Sequence, residues 1–403
     1  MPAVFANRSL HRPAALLALT AVLSGCAAMP TPRNLADAQY QRQQTQGQDV
    51  VVNRCLRPPV PAALAGLTQV NPAQLSRASD LLAPGDRLNL QVAGDKDQLT
   101  GTYVVAPNGT LLIGGAVEVP AMGRPRAEVA RDLRQRLVQA GYIRNLPDNL
   151  RLQLAQANGV NVSVEGAVFY GGQVTAGERG DLVAANIYNH PANGDSNGGR
   201  TLSSALRAAG GIRPDAALAS VYVVRGANYA VLDMTTAITG GVSVDPQLAA
   251  GDRVIVPTLG CFQPDFVKPS AVTQPGIRVY MSNLIRPASS NANAAVGKDS
   301  TNIPYGTRFL QGLVASNCVG GSMMNAQRRA VLISRNPLNN HSVVIQRSIE
   351  QLVRNADRDG MDPYLMPGDA IACYDSTAQS VGDVVGTMAG LVTPAVLISS
   401  LTH

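Results

Sequence analysis

Cys26 is the residue of this sequence whose surroundings predict a definite chemistry. It ends the run Leu23-Ser24-Gly25-Cys26, which closes a short apolar stretch from Ala14 to Leu23 that follows basic residues. A basic start followed by a short apolar run is typical of a secretory signal, and the closing run resembles the bacterial lipobox. We therefore expect residues 1–25 to be a lipoprotein signal peptide and the thiol of Cys26 to be acylated. Such an anchor holds a chain to a membrane without crossing it.

The residues after Cys26 indicate where the anchored chain resides. Ala27 stands where an aspartate would favour retention at the inner membrane, so we expect the outer membrane, with a large periplasmic part. From Thr31 to about Ser76 the sequence is polar and irregular, which is typical of a tether rather than a core, and we assign residues 26–76 to a lipid-anchored tether.

The four further cysteines could form disulfides. An even number in an oxidising periplasm permits two disulfides, with three connectivities, and the wide spacing matches no metal site. Cys261 and Cys373 each follow the strand after a repeated Gly-Asp turn, so a bridge between these two is one prediction. Pairing with Cys55 or Cys318 instead, or buried free thiols, are the alternatives.

No set of residues forms a catalytic constellation. The histidines are not spaced as a metal pair, and the sequence has no nucleophile elbow and no phosphate-binding glycine loop. Asp357, Asp359 and Asp362 lack the ligand spacing and the closing Glu of a calcium loop. We therefore predict neither enzyme activity nor a metal or other cofactor. The four histidines are His11, His190, His341 and His403.

The net charge of +6 is carried almost entirely by arginine, since the lysines are only Lys96, Lys268 and Lys298. A drift of composition toward Ala, Gly and Arg explains this charge, and attraction to an anionic partner such as an acidic glycan is the alternative. The arginines are scattered and no aromatic platform accompanies them, which argues against nucleic acid as a partner.

The first ordered unit, residues 77–158, begins with a turn and a strand. The turn ends at Pro84-Gly85-Asp86 and leads into an alternating strand, and Asn108-Gly109 has the residues of a tight hairpin turn. Pro125 then opens a predicted helix that ends at Gly141 and has Val129, Leu133 and Leu137 on one face.

The next two units are copies of each other. Asp245 to Asp252 aligns with Asp362 to Asp369, with five of eight positions identical. In each copy a strand precedes a helix, and further strands surround a Gly-Asp turn, which is a small β-grasp pattern. We place these units at residues 159–262 and 276–375.

Residues 380–403 carry a segment with one charge and a sorted helical face. From Val381 to Leu401 it would span roughly 30 Å as a helix, about the thickness of a bilayer core. A ring of such helices would turn valines to lipid and Asp383 to a lumen; an amphipathic helix packed on a soluble core is the alternative. The predicted pore-helix residues are Val381, Asp383, Val384, Gly386, Thr387, Gly390, Val392 and Pro394.

In their order along the chain, these features resemble the outer-membrane polysaccharide export family of Wza-like translocons. The Pro84-Gly85-Asp86 turn, the Tyr103-x-Val105-x-x-Asn108-Gly109 pattern and the helix after Pro125 resemble its export domain. The resemblance implies an α+β fold: an export domain, two SLBB β-grasp (soluble-ligand-binding) repeats and a C-terminal transmembrane amphipathic helix.

The same resemblance implies function and partners. Identical subunits would form a ring that exports capsular or extracellular polysaccharide, together with an inner-membrane polysaccharide co-polymerase. The partners would thus be further copies of the chain, the polysaccharide, outer-membrane lipid and the co-polymerase. The alternative function is a periplasmic glycan-binding lipoprotein without a pore.

Overall fold

Mixed β-sheets with short helices against them form the part of the chain that the structure describes. The structure is a computed structural model, and it describes residues 55–75, 81–96, 98–178, 197–241, 244–283, 302–319, 328–336, 340, 342–356 and 360–374. The architecture agrees with the α+β class predicted from the sequence.

The first unit contains a three-stranded sheet of order β3-β2-β6, a two-stranded sheet β4-β5 and one long helix. The predicted helix is confirmed: Val129, Leu133 and Leu137 are its buried face, and Gly141 lies just beyond its end with a φ of 79°. The elements are β2 (Arg87–Val92), β3 (Gly101–Val104), β4 (Thr110–Ile113), β5 (Val117–Pro120), α2 (Arg126–Gln139) and β6 (Leu150–Gln156).

The hairpin predicted around Asn108-Gly109 is wrong in its pairing. The turn itself forms, and the N–H of Ala106 donates to the carbonyl of Thr110 over 2.8 Å. However, β3 pairs with β2 while β4 pairs with β5. Leu111 and Ile113 on β4 are buried in the same core as α2, and this burial places β4 in a separate sheet from β3.

The second unit, which we call the first repeat, is a six-stranded sheet of order β1-β10-β9-β11-β7-β8. One face of this sheet packs on the helix α3 around Leu202, Leu206 and Val254. Its elements are β1 (Thr68–Gln69), β7 (Val160–Gly166), β8 (Gly172–Ala176), α3 (Leu202–Ala208), β9 (Val221–Arg225), β10 (Asn228–Leu232), α4 (Thr236–Thr239) and β11 (Arg253–Val256).

The third unit, the second repeat, has a four-stranded sheet of order β13-β17-β15-β16 and a small sheet β12-β14. Phe309 and Leu313 of the helix α5 are buried in its core with Leu332 and Ile371. Its elements are β12 (Gly276–Arg278), β13 (Tyr280–Asn283), β14 (Asn302–Pro304), α5 (Phe309–Ala315), β15 (Arg329–Arg335), β16 (Ser342–Ser348), α6 (Ile349–Arg354) and β17 (Ala370–Tyr374).

The two repeats share a strand order as well as a sequence pattern. In the first repeat β7, β11, β9 and β10 are neighbours in that order, and in the second repeat the order is β13, β17, β15 and β16. The pairs β7–β11 and β13–β17 are parallel, and the other pairs of each set are antiparallel.

The described part of the expected tether, residues 55–75, is packed rather than extended. Leu64 contacts Tyr222 and Ile255 on the sheet face opposite α3, and β1 adds a parallel strand beside β10. A short helix, α1 (Pro72–Leu75), then leads toward the first unit. The sequence pattern missed this segment because Leu64 is buried only against strands that lie far away along the chain.

Within the residues that the structure describes, no helix has both the length and the apolar character needed to cross a bilayer. The predicted signal peptide, Cys26 and the segment from Val381 to Leu401 lie outside the described residues.

Candidate functional site

An open cleft of 660 Å³ lies where the second repeat meets the segment that joins the two repeats. The joining segment supplies Lys268, which is exposed. The second repeat supplies the polar and aromatic side chains of Tyr305, Thr307, Arg308 and Tyr364, together with Gln311. Among the described residues that line the cleft, two are basic and none is an aspartate or a glutamate.

Arg308, the residue before α5, is held in a defined direction. Its guanidinium carbon lies 4.3 Å from the centroid of the Tyr364 ring. Its Nη1 donates to the carbonyl of Asp362 over 2.9 Å, and its Nη2 donates to the Tyr364 hydroxyl over 3.2 Å. Phe262 stacks on Tyr364 with ring centroids 6.5 Å apart. An aromatic stack thus orients one of the two cations at the cleft.

Gly306 brings the cleft's two walls close together. Its φ is 99°, and a Cβ at this position would stand 2.9 Å from the carbonyl oxygen of Val267. Both facts favour glycine, because other residues rarely adopt this backbone conformation and would meet the joining segment. Next to it, the Tyr305 hydroxyl is buried without a hydrogen-bond partner in the described part of the chain. Burial, with a smaller contribution from Asp215, raises the pKa of Tyr305.

The first repeat has different side chains at the corresponding place. The backbone of Arg308 forms an isolated β-bridge with that of Tyr364, and the backbone of Thr201 forms the same kind of bridge with that of Gln247. Arg308 and Thr201 each directly precede a helix, which identifies these two residues as structural equivalents. The cation and the ring of the cleft are therefore particular to the second repeat, and Thr201 and Gln247 replace them in the first.

Three Gly-Asp turns share one geometry, one in the first unit and one in each repeat. Asp86, Asp252 and Asp369 each accept a 2.8 Å hydrogen bond, through Oδ2, from the N–H three residues before. The preceding glycines have φ values of 85°, 86° and 85°. Side-chain capping of a glycine turn is a local device, so these aspartates serve the fold rather than catalysis.

The three buried carboxylates differ in what faces them. Asp86 is ion-paired with Arg200, and Asp252 is ion-paired with Arg225. The strand register makes Ser334 the equivalent of Arg225, and Ser334 only donates a hydrogen bond to Asp369. Burial therefore raises the pKa of Asp369 to about 7. Burial also raises the pKa of Asp86, although Arg200 and the N–H of Asn158 oppose the rise.

The pair of Asp86 and Arg200 joins the first unit to the first repeat. Both side chains are buried, at 0% and 4% relative exposure. Asn158 N–H donates to Asp86 Oδ1 over 2.8 Å, and the carbonyl of Asn158 accepts from Asn197 Nδ2 over 3.1 Å. An ion pair with this many further hydrogen bonds fixes the relative orientation of the two units.

Comparison with known protein families identifies the first of these units. Residues 75–165 match the family model of the polysaccharide biosynthesis/export proteins. These residues are a polysaccharide export domain. The match includes the stretch from 77 to 158 that the sequence pattern predicted, so the resemblance to an export family is confirmed. No curated protein matches the chain.

The export domain gives the chain a role in polysaccharide export or biosynthesis. The matched family is one of transport rather than of enzymes. No group of three or more His, Cys, Asp or Glu side chains that could hold a metal is present within the described ranges.

The cysteines pair differently from the bridge considered above. The structure joins Cys55 to Cys261 and Cys318 to Cys373, with Cα atoms 5.1 Å and 5.9 Å apart. The predicted Cys261–Cys373 bridge is therefore wrong. The reason is tertiary: Cys318 and Cys373 lie in the core of the second repeat, whereas Cys55 starts the segment that lies along the first repeat.

Sequence reasoning also missed the cleft. None of the predicted site residues lines it, and those of the pore helix and Cys26 lie outside the described residues. One signal was readable, because Tyr364 replaces Gln247 within the aligned repeat segments and so adds an aromatic residue to one copy only.

Proposed function

We propose that this protein is an outer-membrane lipoprotein that exports capsular or extracellular polysaccharide through a ring of identical subunits. The observation that carries the proposal is the export domain at residues 75–165. The leader ending at Cys26 supports a lipid anchor. The disulfide between Cys318 and Cys373 supports a periplasmic location, because disulfides persist in that oxidising compartment.

The repeats support the same proposal. In chain order, the strands of the first repeat are arranged 2-1-5-3-4, namely β8, β7, β11, β9 and β10, with a helix after the second strand. This order supports the proposed β-grasp fold, and the second repeat has the corresponding order for four of its strands. An export domain followed by two such repeats is the order that the resemblance implied.

The pore wall is the part of the proposal assigned to residues 381–401. Gly382, Gly386 and Gly390 are spaced four apart, which lets neighbouring helices approach closely in lipid. We expect Asp383 to lie near one end of the helix or to face the lumen, since a charge that points into hydrocarbon costs about 3 kcal/mol or more. An inner-membrane co-polymerase would deliver the polysaccharide to the periplasmic end of the ring.

This function is tested by measuring surface polysaccharide in a strain that lacks the gene and carries a variant of it instead. Removal of all residues after Ser380 should leave a lipidated protein and abolish surface polysaccharide. Replacement of Val384 and Val392 by Asp should block export, whereas Thr387→Asp, on the opposite arc, is the matched control and should be far milder. Normal export by the truncated chain would remove the pore wall from the proposal.

A glycan-binding lipoprotein without a pore is the second candidate, and the basic cleft of the second repeat is the observation that favours it. Electron microscopy of detergent-extracted protein separates the two, because only the exporter requires a ring. Mass spectrometry of the mature N-terminus tests the anchor that both candidates share, and an unmodified Cys26 would contradict it.

A further inference from the structure

We propose that the cleft between Lys268 and Arg308 binds a carboxylated sugar unit of the polysaccharide. The inference rests on the proposed function for the source of the ligand, but the site itself stands on the geometry of the described residues. It assigns a ligand class to one place on the chain: an acidic glycan such as a chain of uronate units.

The charge of the lining selects the ligand class. Lys268 and Arg308 are the ionic side chains among the described lining residues, and the lining contains no aspartate or glutamate. A cleft lined by one sign of charge raises the local concentration of the opposite charge. Charge-assisted hydrogen bonds from an ammonium or a guanidinium to a carboxylate are about twice as strong as neutral ones.

The neutral groups of the lining suit a sugar rather than a simple anion. Gln311 accepts a hydrogen bond from the N–H of Arg308 through Oε1 over 2.9 Å, so its amide group retains Nε2 as a donor. Thr307 and the Tyr364 hydroxyl add groups that hydrogen-bond with alcohols. A volume of 660 Å³ lies in the range of small-ligand sites, about 300–1,000 Å³, and exceeds what a lone carboxylate needs.

The cleft is built before a ligand arrives. The stack of Phe262, Tyr364 and Arg308 orients the guanidinium, and Gly306 sets the spacing of the two walls. A pre-organised site loses less conformational freedom on binding. The first repeat, with Thr201 and Gln247 at the equivalent positions, lacks both the cation and the ring, which places this recognition in the second repeat alone.

The test measures binding to the full-length protein in detergent. The probes are an oligogalacturonate of defined length and the same oligosaccharide after reduction of its carboxyl groups, each titrated by calorimetry. The variants are Lys268→Gln and Lys268→Arg, with Lys96→Gln as the matched control, because Lys96 is an exposed lysine of the export domain far from the cleft in sequence.

We expect the carboxylated probe to bind and the reduced probe to bind at least tenfold more weakly. Lys268→Gln should weaken binding of the carboxylated probe about tenfold or more, the loss expected for one charge-assisted hydrogen bond. Lys268→Arg should restore most of the affinity, and Lys96→Gln should leave it unchanged. Higher salt should weaken binding by the wild type more than by Lys268→Gln.

Equal binding of the two probes, or equal losses for Lys268→Gln and Lys96→Gln, would overturn the assignment. Failure of the proposed function looks different. If deletion of the gene leaves surface polysaccharide intact while Lys268 still governs binding, the exporter proposal falls and the cleft assignment stands. If export requires the protein but neither probe binds, the cleft assignment falls and the exporter proposal stands.

Discussion

Asp369 makes the stability of the second repeat depend on pH in a direction that can be calculated. Its carboxyl is fully buried, Met366 N–H and Ser334 donate to it, and burial raises its pKa from 3.8 to about 7. The folded repeat therefore holds a proton that the unfolded chain releases between these values. Stability linked to this group is complete below the unfolded pKa and is lost as the pH rises to about 7.

The size of the effect follows from the same two values. The difference between 3.8 and about 7 corresponds to about 4 kcal/mol, an upper limit because water penetration and relaxation reduce it. Asp369→Asn keeps an oxygen for the N–H of Met366 and cannot ionise. At pH 8 this variant should be more stable than the wild type, and its unfolding free energy should lose most of the fall with pH.

The control is the equivalent change in the first repeat. Asp252→Asn alters the same turn, but Asp252 is ion-paired with Arg225. Losing that partner should destabilise the first repeat by about 2–3 kcal/mol at pH 8, the opposite sign to Asp369→Asn. Ser334→Arg, which copies Arg225 into the second repeat, should also reduce the pH dependence.

Hydrogen exchange read by mass spectrometry provides the assay, because it reports each repeat separately in a chain of several units. Peptides from β15 and β17 of the full-length protein would be followed from pH 5 to pH 8, with rates corrected for intrinsic exchange. If wild type and Asp369→Asn show the same change in protection with pH, the buried carboxyl is not the source and the reasoning fails.

Two further predictions concern the joint and the cleft wall. Arg200→Ala should destabilise the contact between the export domain and the first repeat by about 3–5 kcal/mol, because it leaves Asp86 buried without its partner; denaturant midpoints that match the wild type would contradict this. Gly306→Ala should cost about 1–3 kcal/mol and alter binding in the cleft, since a Cβ would meet the carbonyl of Val267 at 2.9 Å. Gly260→Ala is the control, because Gly260 has a φ of 68° and an added Cβ there would have no atom within 4 Å. If both variants lose the same unfolding free energy, backbone strain alone explains the cost of Gly306→Ala.

Local patterns were readable from the sequence where neighbours along the chain decide the outcome. Val129, Leu133 and Leu137 recur at helical spacing and form the buried face of α2. The Gly-Asp turns were also readable, because the capping hydrogen bond of each aspartate reaches only three residues back. The duplication of the repeats follows from the aligned segments in the same way.

Pairings over long separations were decided only by the tertiary structure. Cys55 and Cys261 are 206 residues apart, and Arg200 and Asp86 are 114 apart. Nothing in the spacing of such residues distinguishes the partner that folding brings near from the others of the same type. The turn at Asn108-Gly109 shows the same limit, since a turn is a local conformation whereas strand pairing depends on which core buries Leu111.

The sequence by itself therefore determined local elements such as α2 and the Gly-Asp turns, the repeated units and the resemblance to an export family, because these depend on short-range periodicity and on the order of motifs. The tertiary structure alone decided which of the buried turn carboxylates faces a serine in place of an arginine, since Ser334 occupies the place of Arg225 only through strand register. It also decided where the cleft forms. One wall of the cleft comes from the joining segment and the other from the second repeat, and the two walls meet near Gly306 only in the folded chain.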